Sequence, residues 1–397
     1  MHAADATSRP TRSLLTNPTL RSIAYQVALC LAVGFLGYEA ITNAAENLAR
    51  ARIATGFGFW NNTAGFDISQ TLIEYSSQGS TYGRAFWVGL LNTLLVGGLG
   101  IVFATVLGFA IGIARLSSNW LVAKVAAGYV ELIRNLPLLL QLLFWYNAVI
   151  KGLPEIRDSF ALPGGGFLNN RGLVLPKPIF EPGSGAVAIA FVAGIVAAVL
   201  FRVWAKRRQA MTGQQAPVLA VTLALVFGLP IIVAHSIGIP VAFDVPQRGR
   251  FNIAGGIEVL PEFAALLFGL VLYTAAFIAE VVRAGIQSVP IGQVEAAYAL
   301  GLRPKIALRQ IVLPQAMRVI IPPLTSQYLN LVKNSSLAVA IGYPDLVQVF
   351  TGTVLNQTGQ AVEVVALTMA VYLTISLTAS LAMNIYNRLI TPVGDAS

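Results

Sequence analysis

Arg134, Glu280 and Lys333 stand inside long apolar stretches of this chain, and Arg283 stands at the inner end of one. A charged side chain is costly in lipid and persists there when it pairs or lines a polar path. Arg134 lies about nine residues into one apolar segment, roughly 14 Å deep at the rise of a helix. Asn135 follows it, and Pro137 is placed to break the helix just beyond. Lys333 comes after Pro322 and Pro323 and stands beside Asn334 and Ser335. Broken helices at depth are tolerated where they line a cavity, and a cation there suits a carboxylate. Arg134 could equally snorkel or pair with Glu131, one turn away. Glu280 and Arg283, also one turn apart, read as a local ion pair or brace.

No stretch of the chain looks like a site for covalent or hydrolytic chemistry. No G-x-x-x-x-G-K-[ST] loop and no H-E-x-x-H occurs. Cys30 is the single cysteine and there are two histidines, so neither an intrachain disulfide nor a Cys/His metal cluster can form. No catalytic residue, cofactor or metal is expected.

The elements that position these residues are membrane spans. Hydrophobic residues make up 56% of the chain and charged ones 11%, against about 25% charged in soluble domains. The net charge of +9 could suggest nucleic acid, but the basic residues punctuate apolar segments instead of forming one soluble domain. No nucleic-acid partner is expected; the bilayer is. Eight segments approach the roughly 20 apolar residues a span needs: 22–42, 87–114, 123–150, 185–204, 216–237, 260–282, 318–342 and 363–387. With the N-terminus inside, sixteen Lys and Arg fall on the cytoplasmic side, or fifteen with Arg134 counted inside its segment, against nine outside, and Lys333 lies within a span. That asymmetry predicts both termini inside. Residues 23–41 exceed the apolar core of about 7–15 residues of a secretory signal, so the first segment is expected to remain as a span.

Between the sixth and seventh segments, residues 288–318 carry Glu295-Ala296-Ala297, then Gly301, then Ile311, Leu313 and Pro314. Val294–Leu300 is predicted to be a short helix that Gly301 ends in a left-handed turn. Pro304 suits the first turn of a second helix, whose apolar side is Ile306, Leu308, Ile311 and Leu313. Arg303, Lys305, Arg309 and Arg318 keep this helix-turn-helix at the cytoplasmic face. Small Ala296 and Ala297 would let a partner approach closely. Read without a partner, the segment is an interfacial loop with a basic anchor. In the second segment Gly100, Ala104, Gly108 and Gly112 form one small-residue stripe, suited to close helix packing within the chain in preference to a subunit interface.

The E-A-A-x3-G-x9-I-x-L-P pattern resembles the cytoplasmic coupling loop of bacterial ABC importer permeases. Gly89-Leu-Leu-Asn92-Thr93, Gly108–Leu116, Glu131-Leu-Ile-Arg134-Asn135-Leu-Pro137, Ala279-Glu280-Val-Val-Arg283 and Lys333-Asn334-Ser335-Ser336 look like those of polar amino-acid uptake permeases. The longer plan resembles permeases of broad-specificity L-amino-acid importers in Gram-negative bacteria. The likeness implies an all-α polytopic membrane protein of about eight transmembrane helices. A five-helix core would span 87–150 and 260–390. Residues 1–86 would add a cytoplasmic tail, a first span and a periplasmic loop, and 151–259 an inserted hairpin with its flanking loops.

By the same likeness, ABC ATPase subunits would grip Glu295 to Pro314. A periplasmic amino-acid-binding protein would deliver a polar L-amino acid, and a second related permease would complete a heterodimer in the inner membrane. Arg134, Asn135, Lys333, Asn334 and Ser335 would line the substrate path, with Glu280 and Arg283 as a gate or structural pair. The chain itself would not be an enzyme. Rival readings are an ion-gradient-driven transporter, which needs acidic residues at mid-membrane, a membrane scaffold, or an ABC permease for another solute.

Overall fold

The computed structural model describes residues 18–50, 55–238, 241–249 and 252–390. Residues 1–17, with Arg9 and Arg12 of the charge asymmetry, lie outside that description, as do Arg52 and Arg250. All eight apolar segments are helical. In chain order the helices are α1 (Pro18–Arg50), α2 (Tyr82–Ala114), α3 (Trp120–Asn135) and α4 (Leu138–Leu143). There follow α5 (Ser184–Thr212), α6 (Val218–Leu223), α7 (Leu229–Ile237) and α8 (Pro261–Gln287). The last are α9 (Ile291–Ala299), α10 (Pro304–Ala307), α11 (Leu313–Asn334), α12 (Leu355–Thr358) and α13 (Ala361–Ile390).

Among the described residues six helices are long and apolar enough to cross a bilayer, and a seventh candidate is the bent pair Trp120–Asn135 and Leu138–Ile150. The bend is 105°. Its cause is local: Leu136 precedes Pro137 and is held extended at φ −97°, ψ 132°, because the proline ring disfavours helical backbone in the residue before it. The seventh expected span, 318–342, is helical but falls short on apolarity, since Arg318, Gln327, Asn330 and Lys333 interrupt it. It also breaks elsewhere than expected. The helix runs unbroken through Pro322 and Pro323 and gives way at Ser335–Ile341, a 3-10 stretch ended by Gly342 at φ +79°.

Two compact units form. One comprises residues 1–90 and 346–375. Its core gathers Phe59, Tyr82, Phe86, Leu346 and Phe350; Phe86 meets Phe350 edge-on at 5.2 Å and Trp60 meets it at 6.3 Å. Two aromatics just ahead of α2 differ, Phe59 being buried and Phe57 exposed.

The other unit comprises residues 91–345 and 376–397. Helix α8 lies at its centre and packs against α3, α4 and α11. Small residues on α8, among them Ala265, Gly269, Ala275, Ala276, Ala279 and Gly285, are buried, which lets neighbouring backbones come close. The stripe on α2 packs within the chain, as expected. A Cβ on Gly108 would stand 2.6 Å from Ile278 Cβ, and one on Gly112 would stand 2.8 Å from the Ala279 carbonyl oxygen. Gly108→Leu is therefore expected to cost about 1–3 kcal/mol through overpacking. Gly98→Leu, where a Cβ meets nothing within 4 Å, should leave the thermal midpoint in lipid nanodiscs nearly unchanged. Equal midpoints would refute this packing.

The loops flanking the inserted hairpin are not featureless. Strands β1 (Phe160–Leu162), β2 (Gly166–Asn169), β3 (Gly172–Leu175) and β4 (Lys177–Phe180) precede α5. Strands β5 (Val241–Asp244), β6 (Gln247–Arg248), β7 (Ile253–Ala254) and β8 (Ile257–Val259) follow α7. An antiparallel sheet runs β1-β2-β3-β8, with Leu173 opposite Val259, and β4 pairs with β5. The Pro163–Gly166 run makes the turn between β1 and β2, with Gly164 and Gly165 at positive φ. These pairings bring the start of α5 and the end of α7 to one side, which makes 184–237 a closed hairpin. Gly194 meets the Leu225 backbone where its two arms touch.

Candidate functional site

The 288–318 loop folds as an exposed helix-turn-helix. Pro290 caps α9, which begins at Ile291, three residues before the expected start. Gly301 at φ +74° ends it, and the N–H groups of Leu300 and Gly301 donate to Ala296 and Tyr298. Arg303 is extended and Pro304 opens α10, which continues through a π stretch, Leu308–Val312, into α11. Helix α9 packs back on α10 and this stretch.

The two alanines do different work. Ala296 is exposed, whereas Ala297 is 1% exposed inside the loop's own fold. Adjacent helical positions point about 100° apart, so one smooth face cannot hold both. Glu295, Gly301 and Pro314 are exposed, and Ile311 is half-buried. The apolar side expected of the second helix is also turned: Ile306, Leu308 and Leu313 are exposed, while Ala307, Val312, Ala316 and Ile320 are buried. The π stretch adds an extra residue to a turn and shifts the helical phase. Ile291, Tyr298 and Leu300 are exposed as well, Leu300 to 80%. The loop thus presents large apolar side chains beside Arg303, Lys305 and Arg309.

Arg115, Arg134 and Arg283 converge on Glu280. Its carboxylate accepts from Arg283 Nη2 at 2.5 Å and from Arg115, and Arg134 Nη1 stands 3.9 Å away. Arg134 does not pair with Glu131; its guanidinium lies over the Phe277 ring at 5.1 Å. Pairing across helices wins because α3 runs alongside α8. Arg134 also sits in the last turn of α3, where the helix dipole favours a cation. Asn135 turns back on its own helix, donating to the Glu131 carbonyl at 2.7 Å. Arg134, Phe277, Glu280, Gly285, Pro323 and Gln327 line a cavity of about 260 Å³.

Two participants escaped sequence reading. Arg115, just past α2, was among the cytoplasmic basic residues and within the Gly108–Leu116 stretch, with no partner assigned to it. Gln141 donates through Nε2 to the carbonyls of Ile133 (2.9 Å) and Leu136 (3.0 Å), serving acceptors that the Pro137 break leaves free. Its signal was a lone amide in the run Leu138–Tyr146.

Lys333, Asn334 and Ser335 sit apart from that cavity. Lys333 is exposed in this chain, not buried within it, at the last turn of α11. Ser335 is fully buried and donates to the Val332 carbonyl at 2.8 Å, and Ser336 donates to the Lys333 carbonyl at 2.7 Å. The hydroxyls serve carbonyls at a helix end, which leaves Lys333 as the projecting charge. Asn334 is half-buried.

Residues 190–392 match the family described as binding-protein-dependent transport system inner membrane component. The chain belongs to that family. The match takes in the helix-turn-helix loop and begins inside the inserted hairpin. This permease is 54% identical over 377 residues to the general L-amino acid transport system permease protein AapQ of Rhizobium johnstonii, covering 95% of this chain and 94% of that one. It is also 54% identical over 379 residues to the putative amino-acid ABC transporter permease protein YhdX of Escherichia coli, covering 95% and 96%. The glutamate/glutamine/aspartate/asparagine transport system permease protein BztB of Rhodobacter capsulatus is 41% identical over 406 residues, covering 94% and 95%. Among solved structures, an amino acid ABC transporter with histidines superposes with a TM-score of 0.46 at 22% identity, covering 77% of this chain and 94% of that one.

Proposed function

We propose that this permease is the membrane subunit of an ATP-driven ABC importer and moves polar L-amino acids across the inner membrane by alternating access. The observation that carries the reading is the exposed helix-turn-helix of residues 291–314. It is an apolar and basic surface on a polar loop between two apolar helices, in a chain of a binding-protein-dependent family. ATPase subunits grip this loop and hydrolyse the ATP, so the chain is not itself an enzyme. A periplasmic amino-acid-binding protein delivers the substrate, and a second, related permease completes the pore as a heterodimer. Both termini face the cytoplasm. Amino acids are the substrate class because relatives alike over almost the whole chain are named for them.

Within the membrane, Arg134 offers a substrate carboxylate its guanidinium at the cavity wall, with Glu280 and Arg283 as the brace behind it. Lys333 projects outward and reaches the path only when a second permease closes it. An ion-gradient-driven transporter would need a carboxylate free to take up and release a proton or sodium. Glu280 is instead held by arginines, and Glu363 accepts from the Gly56 N–H.

The test is co-purification from native membranes, followed by ATPase assay in lipid with and without binding protein and amino acid. An associated ATPase stimulated by both supports the importer. A chain that purifies without an ATPase yet moves amino acids down an ion gradient overturns it.

A further inference from the structure

The inserted hairpin and the loop of residues 291–314 meet at a groove of whose lining only Arg309 belongs to the loop proposed to hold the ATPase. Its floor is apolar: Ile195 and Val199 from α5, Leu219 from α6 and Val226 from the stretch that follows. Its volume is about 490 Å³. Two arginines close one end, Arg202 of the hairpin and Arg309 of the loop. Ile195, Val199 and Arg202 lie at helical spacing on one stripe of α5. The groove therefore runs about 10 Å along the helix, at 1.5 Å per residue, before it meets charge.

The charge at that end is one-sided. Lys206 stands one turn beyond Arg202, next to Arg207, and residues 184–237 contain no Asp or Glu at all. Among the described residues neither Arg202 nor Arg309 makes an ion pair; both are exposed. The groove walls are exposed too, Val199 to 57% and Leu219 to 74%. In a membrane such a surface is covered by lipid. Basic pockets between helices at the membrane face are where anionic headgroups bind.

We infer that this groove is a binding site for one anionic phospholipid, such as phosphatidylglycerol. Its phosphate is held between Arg202 and Arg309, and an acyl chain lies along Ile195 and Val199. The lipid bridges the inserted hairpin to the helix-turn-helix loop. A free phosphate fits the arginines but leaves the apolar floor uncovered. A zwitterionic lipid fills the floor but brings its own cation to the arginines.

The test uses the purified full chain in neutral detergent, with retained lipid counted by native mass spectrometry. Phosphatidylglycerol is expected to be retained about tenfold over phosphatidylcholine of the same chains, from two basic contacts at the headgroup. Arg202→Gln with Arg309→Gln should bring that ratio near one. Val199→Trp, which fills the floor without touching charge, should also lose the lipid. Lys305→Gln, a basic change on the same loop away from the groove, should keep it. Equal retention of the two lipids, or an unchanged ratio in the double variant, overturns the proposal. Displacement of phosphatidylglycerol by millimolar inorganic phosphate also overturns it, by reducing the site to an anion pocket. A thermal midpoint for each variant shows that loss of lipid is not loss of fold. Since the readout is lipid retention, its failure leaves the importer reading untouched.

Discussion

Ala296→Arg is expected to leave the chain folded in the membrane and unable to retain its ATPase. Ala296 is on the open side of α9, so the longer side chain projects away from the loop's own packing. An unmatched charge in a protein interface costs several kcal/mol, which corresponds to a fall of about 100-fold or more in association. Transport should fall with it. Ala297→Leu is the contrasting change. Ala297 is 1% exposed, and extra methylenes in a packed site cost about 1–3 kcal/mol. That variant should lose ATPase and shift the thermal midpoint together, whereas Ala296→Arg should lose ATPase alone. Co-purification and thermal unfolding in lipid nanodiscs separate the two. Wild-type ATPase retention by Ala296→Arg would show that the outward side of α9 is not the docking face.

The second large effect is expected at Glu280. Glu280→Gln keeps the shape of the side chain and removes the one negative charge among three guanidinium groups. Arg115 is 13% exposed, Arg283 30% and Arg134 40%. Breaking a fully buried pair costs about 3–5 kcal/mol. Glu280 keeps about a quarter of its exposure, so the expected loss is smaller, about 2–3 kcal/mol, because water screens part of the repulsion. Most of it should arise at Arg115, the least exposed of the three. The double variant Glu280→Gln with Arg115→Gln should therefore recover part of the lost midpoint, since the two changes share one interaction. Added salt should also narrow the gap between Glu280→Gln and wild type. An unchanged midpoint in Glu280→Gln would mean that the cluster braces nothing.

In the proposed importer the same cluster would bear on transport. Arg134 is the loosest of the three partners at 3.9 Å and the one at the cavity wall. It can turn toward a carboxylate without releasing Glu280 from Arg115 and Arg283. A substrate contact at Arg134 and a structural role for Glu280 are compatible for that reason.

What the sequence determined by itself is local. Apolar length placed all eight helices. Pro137 marked the break between α3 and α4, and Gly301 and Pro304 marked the turn between α9 and α10. The Gly100–Gly112 stripe announced close packing within the chain. Each of these depends on side-chain size, backbone freedom or a missing N–H within a few residues, and such terms act whatever lies across the molecule.

Tertiary structure decided everything that depends on which helices become neighbours. Glu131 was the natural partner for Arg134 within one helix, yet α8 brings Glu280 and Phe277 to it instead, together with Arg115 from beyond α2. Strands of two to four residues are too short to signal themselves, and β3 with β8 and β4 with β5 pair across the inserted hairpin. A π stretch at Leu308–Val312 shifts the phase of the second loop helix, so Leu308 and Leu313 of its expected apolar side are exposed while Val312 and Ala316 are buried. Helix α11 passes through two prolines because its flanks pack on α8, and it breaks at Ser335, where the hydroxyls can take up the freed carbonyls. Arg309 and Arg202, 107 positions apart in the chain, come to line one groove only in the folded molecule. Charge pairing and helical phase depend on distances between elements far apart in the chain, and those distances exist only once the helices have packed.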